Sequence, residues 1–373
     1  MAPNNGNREE GSVIRQFKSF LDESDYLFIK RAFDNNYIAE GEMAKEFHDR
    51  LLEIIGAKYG CFASNGTLAL YLALRALGIK AGDEVIVQDI TFIASANAVE
   101  MTGATPVFVD IPKYNSPTID LTKIKRSKNT KAVVLCHLFG TACENVDEVK
   151  EYCMEHGLFL VEDAAQALAI KSKSGHCGTF GDVGTFSFYA DKTITTGEGG
   201  FVVTDSEEIY ERMLYLRNQG RKKSGTFIHE HIGYNFRITD IQACLGLSQL
   251  AKLDKIVSDK IRIYEAYKTY LGDNVDFLNI DNRFSYIPFR VVIFVNNAEK
   301  MIKIMLDKGI EPRSIFYPLH KQPCYLSEST MDSNFSNSNK CFDRGICLPT
   351  WVGLKDEDIK YISEVVIAAL SEI

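Results

Sequence analysis

The chain has 373 residues, 46% of them hydrophobic, and a formal net charge of −8 at neutral pH. That length exceeds the usual size of a single core and predicts two domains, divided here as 12–250 and 251–373. An acidic balance argues against broad nucleic-acid binding, which needs a basic stripe to replace phosphate counterions, and no apolar run approaches the roughly 18 residues of a membrane span.

Residues 1–11 are polar, with Asn4, Asn5, Arg8, Glu9 and Glu10, and lack the apolar core of a signal peptide. At Ser64-Asn65-Gly66-Thr67 the chain enters a strong helix-forming run over 68–77 that stops at Gly78. A helix starting there aims free N–H groups near Gly66 and Thr67 at an anion, with the macrodipole assisting; the same residues also suit an ordinary helix cap. Short apolar runs at 84–90, 106–109, 132–137, 158–162, 183–188 and 200–204 predict strands, with helical patterns at 94–101 and 146–156 between them. This alternation predicts an α/β fold built on a mostly parallel sheet covered on both faces. In such sheets ligands bind beyond the carboxyl ends of the strands.

Arg221-Lys222-Lys223 is a basic cluster suited either to a nucleotide diphosphate or to a solvated loop. From Thr239, which has capping-box spacing to Gln242, one long helix is expected to run to Gly272 and bridge the two domains. A strand over 286–295, a helix over 298–308 and a closing helix over 354–370 make the last third a smaller α/β unit. The nine cysteines are scattered, odd in number and contain no Cys-x-x-Cys pair. Such usage predicts free thiols in a reducing compartment, the cytoplasm, rather than a disulfide framework or a metal site.

Two residues carry the chemistry. Asp163 ends the apolar run that includes Leu160 and Val161, and Lys192 follows 29 positions later in Ser187-Phe188-Tyr189-Ala190-Asp191-Lys192-Thr193. A lysine beside small residues can hold an aldehyde as a Schiff base, and an aspartate at a strand end can keep a pyridine nitrogen protonated. Together they point to pyridoxal 5'-phosphate (PLP).

The motifs Ser64-Asn65-Gly66-Thr67, Gly82-Asp83-Glu84-Val85, Thr91-Phe92, Gly103-Ala104-Thr105-Pro106, Glu162-Asp163-Ala164-Ala165-Gln166, the stretch 186–200, Gly233-Tyr234-Asn235-Phe236-Arg237 and Pro318-Leu319-His320 occur in this order along nearly the whole chain. In them the chain resembles the DegT/StrS family of nucleotide-sugar aminotransferases. The resemblance implies the fold type I aminotransferase architecture, with a large domain on a mostly parallel mixed sheet, a small C-terminal domain, and a homodimer. It also assigns roles. Lys192 would bind the cofactor covalently and move protons, Asp163 would pair with the pyridine N–H, Gln166 would contact the ring's phenolic oxygen, and Phe92 would stack on the ring. Ser187 and the N–H groups of Gly66 and Thr67 would hold the phosphate. Asn235 would reach that phosphate from the neighbouring subunit, so active sites would be shared.

In an extended segment Arg237 lies on the same side as Asn235, facing that site or making a structural ion pair. Residues 311–323 resemble a stretch of C4-directed members, perosamine synthases among them, which puts Tyr317 and His320 near the sugar; a histidine beside Pro318 and Leu319 equally suits a packed, hydrogen-bonded role. The chain departs from the pattern in two places. Ala190-Asp191 stands where relatives often have a proline or glycine and an asparagine or threonine, and Ala169 stands where glycine is common.

The activity implied is transfer of an amino group from glutamate to the 4-keto carbon of a nucleotide-linked 4-keto-6-deoxy sugar. Alternatives are a C3-directed aminotransferase, a PLP-dependent sugar dehydratase, whose relatives carry histidine in place of Lys192, and a non-catalytic regulatory protein, against which the complete residue set stands. These residues do not distinguish GDP, UDP and dTDP.

Overall fold

A computed structural model describes residues 13–221, 227–326 and 332–373, so Lys222 and Lys223 of the basic cluster and residues 1–11 lie outside it. Each apolar run between 84 and 204 forms a strand: β2 (Glu84–Gln88), β3 (Thr105–Val109), β4 (Thr130–Cys136), β5 (Phe159–Asp163), β6 (Val183–Ser187) and β7 (Gly200–Thr204). They are joined by β1 (Tyr59–Ala63) in a seven-stranded sheet of order β1-β7-β6-β5-β4-β2-β3. β2 through β6 pair in parallel, while β7 runs antiparallel to both β6 and β1. The sheet is therefore mostly parallel and mixed, as expected.

Alternation along the strands serves two cores. Val85, Val87, Val134, Val161 and Val202 enter one, with α3 (Gly66–Ala76), α4 (Ala94–Met101) and α6 (Glu207–Arg217). Ile86, Val133, Leu135, Leu160 and Val203 enter the other, with α2 (Glu42–Ile55), α5 (Val146–His156) and α7 (Asp240–Ala251). Because both faces are dry, the strands read as continuous apolar runs rather than as alternating ones. α1 (Glu23–Asp34) adds Ala32 to the second core.

A second, four-stranded antiparallel sheet is formed by β8 (Asp276–Phe277), β9 (Val291–Phe294), β10 (Arg313–Ser314) and β11 (Gly345–Leu348), in the order β10-β11-β9-β8. Its core takes side chains from α8 (Leu253–Leu271), α9 (Ala298–Asp307) and α11 (Asp356–Ala369), and α10 (Ser336–Arg344) leads into β11. Ile14 belongs to this core too. Its N–H donates to the Gly309 carbonyl at 2.9 Å, Gln16 Nε2 donates to the Leu348 carbonyl at 3.2 Å, and Ser19 Oγ donates to the Ala190 carbonyl at 2.7 Å.

Two expectations are corrected. The long helix from Thr239 is two helices, α7 and α8, broken at Lys252 (φ −104°, ψ 4°). The break lets Lys252 Nζ reach Asp25 at 2.6 Å and Asp22 at 3.2 Å, tying the junction to α1. The strand expected over 286–295 shrinks to β9. Pro288 has no N–H to give a ladder, and the N–H groups of Ile287 and Phe289 instead donate to Gly140 and Phe139 at 3.0 and 3.1 Å, docking the segment on the loop after β4. The capping box at Thr239 and Gln242 forms as its spacing predicts. Among the described residues no helix is long and apolar enough to cross a membrane.

Candidate active site

A cavity of about 740 Å³ opens beyond the carboxyl ends of the parallel strands. Its walls include Gly66, Thr67, Phe92, Asp163, Gln166, Ser187 and Lys192, seven of the residues anticipated from sequence.

One end is an anion cup. Asn65 caps α3, its Oδ1 accepting the Leu68 N–H at 3.0 Å, which leaves the N–H groups of Gly66 and Thr67 at the mouth of the helix. A Cβ on Gly66 would lie 2.8 Å from Ser187 Cβ and 3.0 Å from its Oγ, so only glycine lets the helix mouth and the end of β6 meet. A Cβ on Gly200 would come 2.4 Å from the Asn65 carbonyl, so the start of β7 presses equally close from behind.

Further in, Asp163 ends β5 with both oxygens engaged. Its Oδ2 accepts from Ser95 Oγ at 2.7 Å, and its Oδ1 accepts the Ala165 N–H at 3.1 Å. A carboxylate has about four lone-pair sites, so both oxygens keep capacity for a donor from the cavity. The neighbouring Glu162 is buried on the other face, accepting the N–H groups of Gly178, Phe180 and Gly181 at 2.6–2.7 Å. It also meets His137 Nε2 at 2.8 Å, and the Cys143 N–H donating to His137 Nδ1 at 3.0 Å assigns the ring proton to Nε2. β5 is thereby pinned in depth and rotation, and Asp163 with it. Gln166 Oε1 accepts the Phe139 N–H at 2.7 Å, leaving its amide N–H groups as the remaining polar end at the cavity. Phe92 is 55% exposed and tilted against Phe316 at 6.0 Å, so the structure puts it on the cavity wall rather than in a core.

Lys192 sits on a loop closed at its base, where Phe188 exchanges backbone bonds with Gly199 and Thr196 at 2.9 and 3.0 Å. The Lys192 Nζ lies 3.9 Å from Asp191 Oδ1 and 4.6 Å from the centroid of the Phe289 ring. Burial pushes the amine's pKa below its ordinary value; Asp191 and Asp163 oppose this and Arg290 reinforces it. The direction makes the amine easier to deprotonate than that of an exposed lysine.

Four anticipated residues do not line the cavity. Asn235 and Arg237 are exposed on one side of an extended segment, with Arg237 Nε donating to Asn235 Oδ1 at 2.8 Å, while Phe236 points inward. Arg237 thus makes a hydrogen bond rather than an ion pair with its neighbour. Tyr317 is 41% exposed against Phe342. His320 is buried, with Nδ1 2.7 Å from Asp89 and its ring stacked on Phe335 at 4.2 Å, the packed role left open above. The sequence reading missed Ser95, His137, Phe289, Arg290 and Arg313. Ser95 and Arg290 lie inside runs that read only as helix and strand, and no motif marks them. Ala169, where glycine is common, has φ +66°; a left-handed alanine costs about 1 kcal/mol relative to glycine, which explains the glycine preference.

The profile of the DegT/DnrJ/EryC1/StrS aminotransferase family matches residues 21–367. Over 361 residues the chain is 36% identical to a GDP-perosamine synthase of Vibrio cholerae, covering 94% of this chain and 97% of that protein. It is 38% identical over 357 residues to a GDP-perosamine synthase of Escherichia coli O157:H7, with the same coverage. Among solved structures, the aminotransferase TlmJ from Streptoalloteichus hindustanus superposes with a TM-score of 0.91 at 27% identity, over 97% of this chain and 100% of that one.

Proposed function

The chain belongs to the DegT/DnrJ/EryC1/StrS aminotransferase family, and from that premise we propose that it is a PLP-dependent enzyme moving an amino group from glutamate to the 4-keto carbon of a nucleotide-linked 4-keto-6-deoxy sugar. The observation that carries this reading is the meeting of Lys192, Asp163 and the cup of Gly66, Thr67 and Ser187 at one cavity. The residues fit the cofactor: the cup is made of N–H groups and a hydroxyl and is closed to any side chain at Gly66, which suits a phosphate. The relatives named GDP-perosamine synthases and the likeness of residues 311–323 to C4-directed members support position C4, and the relatives' name supports GDP.

When bound, PLP supplies an aldehyde that exchanges amines and a ring that accepts the electron pair left when the donor's Cα–H bond breaks. Lys192 Nζ takes that proton from Cα and returns one, as general base and then acid. Asp163 would hold the proton on the ring nitrogen, Gln166 would offer its amide N–H groups to the phenolic oxygen, and Phe92 would cover a ring face. The amino nitrogen would leave glutamate as a water molecule supplies the ketone oxygen of 2-oxoglutarate, and would arrive on the sugar carbon as that carbon's ketone oxygen departs as water, so the two waters and the electron pair balance.

The direct test incubates the protein with PLP, isotopically labelled glutamate and GDP-, UDP- and dTDP-linked 4-keto-6-deoxy sugars, and locates the new amine by NMR. A C4 amine with one 2-oxoglutarate per turnover is expected, fastest with the GDP sugar. An amine at C3, a deoxy product without nitrogen, or no turnover with any of the three would each defeat the reading in favour of one named rival.

We propose further that the enzyme is a homodimer whose partner subunit supplies Asn235. Asn235 and Arg237 are exposed and off this chain's own cavity, and Phe227, Ile228 and Ile232, close by in sequence, are 91%, 76% and 86% exposed. Clustered exposed apolar side chains of this size mark an interaction surface. Lys192→Ala and Asn235→Asp, each inactive alone, are expected to regain activity on subunit exchange, because one site of the mixed dimer is wild type at both positions. A fully active, PLP-saturated monomer would refute sharing.

A further inference from the structure

The proposed mechanism leaves one feature beside Lys192 unused. Asp191 Oδ2 accepts from Arg290 Nη2 at 2.6 Å, and the two side chains are only 10% and 5% exposed. The other oxygen, Oδ1, is buried without a hydrogen-bond partner among the described residues, and Lys192 Nζ stands 3.9 Å from it. That separation is too long for a hydrogen bond but well within Coulomb reach. The Lys192 Nζ and the Arg290 Cζ both lie over the Phe289 ring, at 4.6 and 4.3 Å from its centroid. The segment carrying these groups is held from both sides, by the Phe289 N–H on the Phe139 carbonyl at 3.1 Å and by Lys260 Nζ of α8 on the Pro288 carbonyl at 3.3 Å. With Arg290 fixing one oxygen, the carboxylate can turn only its Oδ1 to the lysine.

We propose that Asp191, anchored by Arg290, is the positioning residue for the Lys192 amine: its Oδ1 receives the ammonium whenever Nζ is not bonded to the cofactor and keeps it beside the reacting carbon. The inference rests on the reading of Lys192 given above. An asparagine at this position, common in relatives, would keep the shape but not the charge. The charged groups acting on Lys192 are Asp191 on its own loop, Asp163 from β5 and Arg290 before β9; His137, Glu198 and Arg313 line the same cavity, and Lys260 of α8 lines a smaller one with Asp191 and Lys192. Of these, Asp191 contributes the strongest pull toward the charged amine, against the effect of burial.

The test measures Lys192's own ionisation in the cofactor-free protein, by competitive acetylation across pH with peptide mass spectrometry. In Asp191→Asn the midpoint is expected to fall by about one unit, and in Arg290→Gln, which removes a buried cation that opposes the lysine's charge, to rise. The bound cofactor's visible absorbance, titrated with pH in the PLP-loaded variants, should shift in the same two directions. Opposite signs separate this role from packing alone, which would move both variants alike. An unchanged midpoint in folded Asp191→Asn overturns the proposal, and if that variant does not fold, a fall or no change in Arg290→Gln does. Should the parent protein take up no PLP, the cofactor reading fails, while the acetylation result still decides this one.

Discussion

Replacing Lys192 with alanine is expected to end multiple-turnover transamination, with a loss of at least about 10⁴-fold, since one residue supplies both the nucleophilic amine and the proton shuttle. The fold should survive. The side chain is nearly buried, and its charged partner sits at 3.9 Å rather than in a hydrogen bond, so truncation removes a desolvated group without orphaning a bonded one. Thermal melting of the cofactor-free variant should therefore stay close to the parent. The visible absorbance of bound PLP should change form, and product should not accumulate past one equivalent. A variant turning over at the parent rate would remove Lys192, and with it the mechanism, from consideration.

The second large effect is expected at Asp163. Asparagine there keeps the size and can still accept the Ala165 N–H while meeting Ser95 Oγ as a donor, so both contacts seen at 3.1 and 2.7 Å have counterparts. What it loses is the negative charge facing the ring nitrogen. If that charge raises the nitrogen's pKa by about three units, at roughly 1.4 kcal/mol each, removing it costs about 4 kcal/mol of the stabilisation of the electron pair, or about 10³-fold in kcat. Ser95→Ala, which only frees the carboxylate to rotate, should cost far less. Stopped-flow rates with glutamate alone would measure both, and an Asp163→Asn half-reaction within tenfold of the parent would show that the ring is not kept protonated from this side.

The fold and the site differ in how far they could be read from the chain. The strands between β2 and β7 were legible because burial on both faces demands uninterrupted apolar runs, and the cup, which alone could pass for an ordinary helix cap, was legible because it stands in order with the other motifs. β1 was not: Tyr59-Gly60-Cys61-Phe62-Ala63 is short, contains glycine and is recognisable only by its pairing with β7. The break at Lys252 was hidden as well, since good helix formers flank it and the ion pair it accompanies is with Asp25, more than two hundred residues away in sequence. The cavity shows the same division. Asp163, Ser187 and Lys192 belong to contiguous motifs, whereas Ser95, His137 and Arg290 act through partners that only folding brings near. His320 was left with two roles, because its neighbours in sequence do not reveal Asp89 or Phe335, against which it packs.

The strap formed by residues 14–19 bears on how this molecule is made. Ile14 bonds Gly309 and Glu311, Gln16 bonds Leu348, and Ser19 bonds Ala190, two residues before the lysine. A ribosome delivers the strap about three hundred residues before most of its partners. A nascent chain therefore exposes the helix mouth, Asp163 and the lysine itself long before the second sheet exists to draw the strap across and fasten the lysine loop. The fastening of the lysine loop by the strap therefore depends on contacts from residues 309–348 that are made long after the residues of the cup, Asp163 and Lys192.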